Sequence, residues 1–226
     1  MAQHSLQVDS IIKLFADKKV LSDIYLSCST AEIVGIFGRN GSGKSTLMKI
    51  IFGIENAANK FIKVDDTFMN QSFTRDGGIG YLPQNNFVPK SLTVEKAILL
   101  FIDDDKTNSI INDAVIKNFR KKKVKVLSLG ELRYLEIMLI LFSENKFAIL
   151  DEPFRGLSPI LIDRTKQMIF KQSATKGIII SDHDYENVID IATKSYILHE
   201  GKLSIMTHRQ QLTDLGYLPR FNVSNL

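Results

Sequence analysis

Short apolar runs of strand length recur along the chain and alternate with patterns typical of helices. Five of these runs are apolar almost throughout, at 33–37, 79–82, 147–150, 177–180 and 196–198. A run without alternating polar positions indicates a strand buried on both faces, as in a parallel sheet covered by helices. The sequence therefore predicts an α/β fold built on a mostly parallel sheet.

The first part of the chain has a different pattern. Residues 8–27 contain mixed short apolar stretches around a polar segment, Asp17, Lys18 and Lys19. Two such stretches separated by a polar turn are typical of a β-hairpin. We therefore expect an antiparallel β portion at the N-terminus, with the turn at these three residues.

Strand-like runs disappear between residue 85 and about residue 142, where helical patterns replace them. Thr93 is a candidate N-cap for a helix that ends near Ile102. A second helix is predicted over 108–118, and a third starts near Gly130. We expect a helical subdomain inserted into the core. The predicted division is a single domain over 1–226, with a core lobe over 1–84 and 147–226 and a helical subdomain over about 85–146.

Composition limits the classes of protein that fit. The chain has 226 residues, 44% of them hydrophobic, which is enough for a sizeable core. Its single cysteine excludes an intrachain disulfide and fits a reducing compartment. The net charge of +4 is too small to argue for a nucleic-acid partner. The N-terminus lacks a signal-peptide pattern, and the apolar runs are too short to cross a bilayer. At a membrane, the protein would therefore have to dock on something embedded in it.

One basic cluster stands out, at residues 120–123 (RKKK) with Lys125 just after it. Such a run is usually a solvated loop. The alternative is contact with lipid head groups or with an acidic partner. The sequence alone leaves both interpretations open.

A glycine-rich segment follows the apolar run 33–37 and precedes a helical pattern. Its sequence fits G-x-x-x-x-G-K-[ST], and the strand before it and helix after it make a phosphate-binding loop the best interpretation. Glycines allow backbone N–H groups to approach phosphate, Lys44 supplies a positive charge, and Ser45 supplies a hydroxyl for Mg²⁺. The predicted nucleotide-binding residues are Gly38, Arg39, Asn40, Gly41, Ser42, Gly43, Lys44, Ser45 and Thr46.

Two carboxylates, Asp151 and Glu152, directly follow the apolar run 147–150. Ligands of α/β sheets bind at the carboxyl ends of the strands, so Asp151 is placed to reach a Mg²⁺ held near Ser45. Glu152 could accept a proton from an attacking water. An acidic pair can also simply end a strand at the surface, and the phosphate loop is what favours the functional interpretation.

The order of these motifs and of three others resembles the ATP-binding subunits of ABC transporters, over about residues 6–218. Residues 81–84 (YLPQ) are similar to the family's Q-loop, residues 127–131 (LSLGE) to its LSGGQ signature, and residues 181–184 (SDHD) to its H-loop. Several stretches are most similar to the lipopolysaccharide-export and branched-chain amino acid branches, at 78–84, 127–133 and 151–154.

The resemblance implies a role for each of these residues. Gln84 would contact Mg²⁺ and the attacking water and sense the membrane partner, while His183 would hydrogen-bond the γ-phosphate. The signature would meet the γ-phosphate bound by a second subunit. Phe15 lies where the family keeps an aromatic that stacks on adenine. The implied catalytic residues are Glu152, His183, Lys44 and Gln84, the metal ligands Ser45, Gln84 and Asp151, and the signature residues Ser128, Leu129, Gly130 and Glu131.

Each of these residues also has a plainer interpretation. Gln84 could be a polar strand end, Ser128 a helix cap, His183 a satisfied polar histidine and Phe15 a core residue. Two residues also depart from the family. Leu129 replaces a glycine of the signature. Ser158 stands where the family's D-loop usually has an aspartate, which puts in doubt the coupling between the two ATP sites of a dimer.

The resemblance predicts an Mg²⁺-dependent ATPase that forms a dimer, with a second copy or a homologous partner, around ATP. It implies a cytoplasmic subunit at the inner face of the membrane that drives a separate permease, and no nucleic-acid partner. Two alternatives remain at this point. One is a nucleotide-dependent binding switch with weak or no hydrolysis, and the other is a soluble ABC ATPase without a transport role.

Overall fold

The structure, a computed structural model, describes residues 3–16, 18–69 and 78–217. Asp17, predicted in a turn, and Leu218, where the family resemblance ends, lie outside these residues. The strands are β1 (Ser5–Phe15), β2 (Lys18–Ser29), β3 (Ile33–Phe37), β4 (Asn59–Val64), β5 (Thr67–Phe68), β6 (Ile79–Leu82), β7 (Phe147–Asp151), β8 (Gly177–Ser181), β9 (Lys194–His199) and β10 (Lys202–Ile205). The α-helices are α1 (Lys44–Phe52), α2 (Val94–Phe101), α3 (Asp104–Ile111), α4 (Leu129–Phe142), α5 (Pro159–Ser173), α6 (Tyr185–Ile189) and α7 (Gln210–Asp214).

The larger sheet has the strand order β10-β9-β3-β8-β7-β6. Its neighbours from β9 to β6 pair in parallel, and only the edge strand β10 is antiparallel to β9. Every residue of β3, β7 and β8 is buried. The prediction of a mostly parallel sheet from uninterrupted apolar runs is therefore confirmed.

The core lies on both faces of this sheet. On one face, Ile36 of β3 and Ile149 of β7 pack in a cluster with Leu47 and Ile50 of α1. On the other face, alternate strand residues pack with Ile137 of α4 and with residues of α5. Each strand therefore contributes to both clusters, as expected for a strand between two layers of helices.

The smaller sheet is antiparallel, with the order β2-β1-β4-β5. β1 and β2 form the expected N-terminal hairpin, in which Phe15 is opposite Lys18 and Leu14 is opposite Lys19. The prediction that Lys18 and Lys19 lie in the turn is wrong. Both belong to β2, because the strand pairing continues to the end of the hairpin.

Between β6 and β7 the chain forms helices, with one isolated bridge between Thr93 and Lys123. The Thr93 hydroxyl accepts from the Lys96 N–H and caps α2, as predicted. The helix predicted over 108–118 is wrong in its bounds, since α3 covers Asp104–Ile111. The chain leaves the helix because the Asp113 carboxylate accepts from the N–H groups of Val115 and Ile116. A short 3₁₀ helix, Ile116–Asn118, follows.

The helices of this region share a cluster of their own, in which α4 packs against α2 and α3. None of the helices that the structure describes is long and apolar enough to cross a bilayer. The fold is the predicted one, an α/β core with an N-terminal antiparallel sheet and a helical region between two core strands. The assignment of 85–146 to a separate helical subdomain remains a prediction.

Candidate functional site

The glycine-rich loop joins the buried strand β3 to α1. Gly43, the N-cap of α1, has φ +105°, a backbone conformation that other residues rarely adopt. A Cβ at this position would also lie 3.0 Å from Val20 Cγ1 of the hairpin. No side chain caps α1. The first N–H groups of the helix are therefore free to bind an anion, and the helix dipole favours one.

Lys44 is buried at the base of the loop, 8% exposed. Its ammonium donates hydrogen bonds to the carbonyl oxygens of Gly38 and Arg39, the second at 3.0 Å. Burial lowers the pKa of Lys44, while the nearby carboxylates of Asp151 and Glu152 oppose this shift. The loop thus holds a cation in place beside two acids.

Asp151 ends β7 and is linked to α1. The Ser45 hydroxyl donates to Asp151 Oδ1 (3.1 Å), and the Tyr81 hydroxyl donates to Asp151 Oδ2 (3.2 Å). Burial raises the pKa of Asp151, and these two hydrogen bonds partly counteract it. A hydroxyl and a carboxylate oxygen at hydrogen-bond distance are the ligand types that Mg²⁺ prefers.

Few side chains in this region could bind a metal ion. Within the described residues, no three His, Cys, Asp or Glu side chains gather as in an all-protein metal centre. Mg²⁺ is usually held by one or two carboxylates together with water and substrate phosphates, so this donor set fits Mg²⁺ bound with a nucleotide. It does not fit a structural zinc site.

Glu152 follows Asp151 in an unusual backbone conformation, with φ +51°. Positive φ in a residue other than glycine is strained and often occurs at functional sites. Both carboxylate oxygens have partners, since Gln84 Nε2 lies 2.8 Å from Oε2 and His183 Nε2 lies 2.5 Å from Oε1. Arg155 is a third, more distant partner at 3.6 Å. The structure thus brings together Glu152, Gln84 and His183, which are far apart in sequence.

These side chains line one cavity of about 430 Å³ between the loop and the strand ends. Phe15 lies in its wall, next to the phosphate loop. A cavity with free N–H groups, a lysine and an aromatic side chain suits a nucleotide. Ser181 Oγ, a further wall atom, is buried without a partner among the described residues. The predicted residues that line the cavity are Phe15, Asn40, Gly41, Gly43, Lys44, Ser45, Thr46, Gln84, Asp151, Glu152 and His183.

Three other loop residues, Gly38, Arg39 and Ser42, belong to the same turn but are not part of the cavity wall. Arg39 instead donates to the Leu215 carbonyl oxygen at 3.1 Å. A Cβ on Gly38 would lie 2.6 Å from the Leu198 carbonyl oxygen, so this position requires glycine for packing. The nucleotide-binding role predicted for these three residues remains a prediction.

The signature segment lies outside this cavity. The Ser128 hydroxyl accepts from the Glu131 N–H (3.2 Å), and the Glu131 carboxylate accepts from the Ser128 N–H (2.8 Å). This capping box starts α4, so Ser128 does serve as a helix cap. Leu129 is 75% exposed, and a Cβ on Gly130 would lie 2.8 Å from the Gly156 carbonyl oxygen. Within one chain, the signature does not meet the nucleotide cavity.

Arg133 is a residue of the site region that the sequence analysis missed. It lies on α4, 3% exposed, and its guanidinium donates to the carbonyl oxygens of Pro83 (2.7 Å), Asp151 and Glu152. Its ion-pair partner is Glu136 (3.7 Å). A charged pair three residues apart in an apolar helix was the available signal. Arg133 fixes the backbone that precedes Gln84 and the backbone that carries the two acids.

Asp182 was also missed as a structural support of the site. Its carboxylate accepts from the N–H groups of Phe154 (2.9 Å) and Asp184 (3.0 Å). Burial raises the pKa of Asp182, and these two hydrogen bonds oppose the shift. Asp182 therefore fixes the segment that carries His183 against the segment that follows Glu152.

Known proteins match this chain over most of its length. The family described as "ABC transporter" matches residues 21–155. The lipopolysaccharide export system ATP-binding protein LptB of Escherichia coli K12 is 32% identical, and that of Haemophilus influenzae is 30% identical. Each match covers 88% of both chains. These relatives agree with the resemblance to the lipopolysaccharide-export branch.

A solved structure described as an ATP-binding subunit of an ABC transporter superposes with a TM-score of 0.83 at 22% identity, over 95% of both chains. At that identity the superposition is evidence for the fold alone. The matched family and the two curated relatives extend the conclusion beyond the fold. The chain therefore belongs to the ATP-binding subunits of ABC transporters.

Proposed function

We propose that the chain binds ATP with Mg²⁺ in the cavity described above and hydrolyses the γ-phosphate bond. The observation that carries this proposal is the convergence of Lys44, the Ser45–Asp151 pair and Glu152 on one cavity. Phosphate would lie against the loop N–H groups and Lys44. Ser45, Asp151 and Gln84 would hold Mg²⁺, which neutralises developing phosphate charge. Phe15 would stack on the adenine ring.

In the hydrolysis step we assign Glu152 as the general base that takes a proton from the attacking water. Gln84 and His183 both reach Glu152 and would orient that water and the γ-phosphate. A base must lie within hydrogen-bond reach of the proton it removes. The carboxylate is buried at the wall of the cavity, which supports this role.

We further propose that hydrolysis requires a second protomer, a copy of this chain. The signature residues Ser128, Leu129, Gly130 and Glu131 lie outside the cavity of their own chain and would cover ATP bound by the partner. The same chain carries both a phosphate loop and a signature, so two copies suffice for two composite sites. Closure would depend on the γ-phosphate, and loss of phosphate would allow the dimer to open.

The relatives named for lipopolysaccharide export support a transport role. We propose that the dimer associates with an integral membrane permease at the inner face of the membrane and drives it. The region over about 85–146 would act as a helical subdomain that transmits motion from Gln84 to that permease. The transported substrate would be recognised by the permease.

A second candidate function is a nucleotide-dependent binding switch with weak hydrolysis. The exposed leucine at a signature position, Leu129, favours it, because a bulky side chain there can hinder close approach of a partner. Ser158 in place of the usual D-loop aspartate also favours it. Glu152 and His183, in direct contact, favour hydrolysis.

A phosphate-release assay on the purified chain separates these two functions. We expect phosphate release that requires Mg²⁺. The rate per molecule of protein should rise with protein concentration, because the proposed hydrolysis requires two protomers. Nucleotide binding without phosphate release at any concentration would favour the switch. If calorimetry with Mg²⁺ detected no affinity for ATP, the proposed site would be wrong.

A further inference from the structure

The basic cluster found in the sequence is part of a larger surface in the structure. The segment 119–126 packs beside the start of α2, where the Glu95 N–H donates to the Arg120 carbonyl oxygen (2.9 Å) and the Val94 N–H donates to that of Lys122 (3.0 Å). The Lys125 N–H donates to the Lys90 carbonyl oxygen (3.2 Å). We call this surface the cationic patch. Its cations are Lys90, Lys96, Arg120, Lys121, Lys122, Lys123 and Lys125.

The patch holds more positive charge than the whole chain. Its seven cations and its one acidic residue, Glu95, give a net charge of +6, against +4 for the chain. The remainder of the chain is therefore net negative. The six lysines are exposed and Arg120 is half-buried. None of the seven forms an ion pair with a described residue.

Exposed apolar side chains accompany these charges. Leu99 and Leu100 of α2 are 54% and 68% exposed, and Val126, next to the basic segment, is 59% exposed. Lys96 lies three and four residues before the two leucines, so all three share one side of α2. A surface with lysines beside exposed aliphatic side chains is typical of segments that contact a membrane interface.

We propose that the cationic patch binds an anionic lipid surface directly. Six of its seven cations are lysines, which act as point charges on flexible stems and suit a diffuse field of head groups. Arginines would be expected for fixed bidentate recognition of phosphate. The exposed large apolar residues of the patch are aliphatic, whereas single-stranded nucleic acid is usually held by exposed aromatic rings.

This contact goes beyond the proposed function, in which the chain reaches the membrane only through a permease. Each lysine near an anionic membrane contributes about 1 kcal/mol, so several together would orient the protein with the patch toward the bilayer. The negative remainder of the chain would be repelled from the same surface. Lipid contact would therefore set the orientation in which a permease is met.

Co-sedimentation of the purified full chain with lipid vesicles tests this proposal. One set of vesicles contains phosphatidylcholine alone, and the other also contains anionic phosphatidylglycerol. The patch variant is Lys121→Gln with Lys122→Gln, and the matched control is Lys171→Gln with Lys202→Gln. All four lysines are exposed, and the two variants remove the same charge. Thermal unfolding of each variant establishes that it is folded.

The chain should bind the anionic vesicles, and binding should weaken as salt is added. The patch variant should lose about 30-fold in affinity, from two charges at about 1 kcal/mol each. The control should bind like the unaltered chain. An equal loss of affinity in the patch variant and the control would overturn the proposal. Equal binding of the unaltered chain to neutral and anionic vesicles would also overturn it. Binding to polyglutamate but not to anionic vesicles would instead assign the patch to an acidic protein segment.

Discussion

The phosphate loop and the signature segment differ in one respect. The loop is part of a cavity formed by its own chain, whereas the signature is not. The loop is packed against the strand ends, where Lys44 and Ser45 already contact carbonyl and carboxylate oxygens. The signature starts α4 with an exposed residue, Leu129, and none of its residues lines the nucleotide cavity. One region is therefore built for binding within the chain, and the other presents a surface to another molecule.

The two regions are nevertheless connected through α4. Arg133, two residues after the signature, donates to the backbone carbonyl oxygens of Pro83, Asp151 and Glu152. A displacement of the start of α4 would therefore also move the backbone of Pro83, Asp151 and Glu152. The exposed segment can therefore act on the buried site through the contacts of Arg133 on α4.

The largest effect is expected at the buried site. Replacing Glu152 with glutamine should lower turnover by about 10²–10⁴-fold, because the base is lost, while ATP still binds. Steady-state phosphate release and calorimetry measure the two quantities. The control is Glu144→Gln, an exposed carboxylate that pairs with Lys106 at 3.5 Å. Turnover that is unchanged in the Glu152 variant would remove that residue from the base role.

The connection through α4 is tested by Arg133→Met. This change leaves Glu136 without its charged partner and removes the donor from the carbonyl oxygens, at a cost of about 3 kcal/mol. The midpoint of thermal unfolding should fall by about 6–12 °C. Arg155→Met removes an exposed guanidinium that lies 3.6 Å from Glu152, a carboxylate with two nearer partners, and should leave the midpoint nearly unchanged. Equal melting of the two variants would show that Arg133 is not a structural link.

A smaller effect is expected at the exposed segment. Leu129→Asp should lower turnover by about tenfold or more, because a carboxylate would face the phosphates bound by the partner. ATP affinity of the isolated chain should not change, since Leu129 lies outside the cavity. Phe170→Asp, at a similarly exposed apolar position on α5, is the control. Lower ATP affinity in the Leu129 variant would argue against a role in the partner's site.

The last expected effect is a gradual change of stability with pH at Lys176, which is buried beside the C-terminal end of α4. Lys176 donates to the carbonyl oxygens of Leu141 (2.7 Å) and Ser143 (2.9 Å), and burial lowers its pKa to about 8. Between pH 8 and 10.5 the unfolded chain binds more protons at this lysine. Stability relative to Lys176→Met should therefore rise with pH, by at most about 1 kcal/mol per unit. Denaturant unfolding of both proteins across this pH range measures the difference in their free energies of unfolding. A difference that falls as the pH rises would contradict the lowered pKa of Lys176.

The sequence predicted where the loop and the two acids lie, between a strand and a helix and at the end of a strand. The loop at 38–46 and the pair Asp151 and Glu152 are recognisable because their neighbours in sequence are also their neighbours in space. Spacing alone could not reveal that Arg133 reaches three carbonyl oxygens, since those contacts depend on how α4 packs against β7. The helix predicted over 108–118 failed for a different, local reason, because the Asp113 side chain competes with the helix for backbone N–H groups.

Mixing two variants of low activity tests the composite site most directly. Lys44→Ala retains an intact signature but has a defective loop, and Leu129→Asp retains an intact loop but has a defective signature. If the signature of one chain covers ATP bound by another, mixed dimers contain one intact composite site. The account predicts that phosphate release by the mixture exceeds the sum of the two variants alone. A rate equal to that sum would contradict hydrolysis between two copies of this chain.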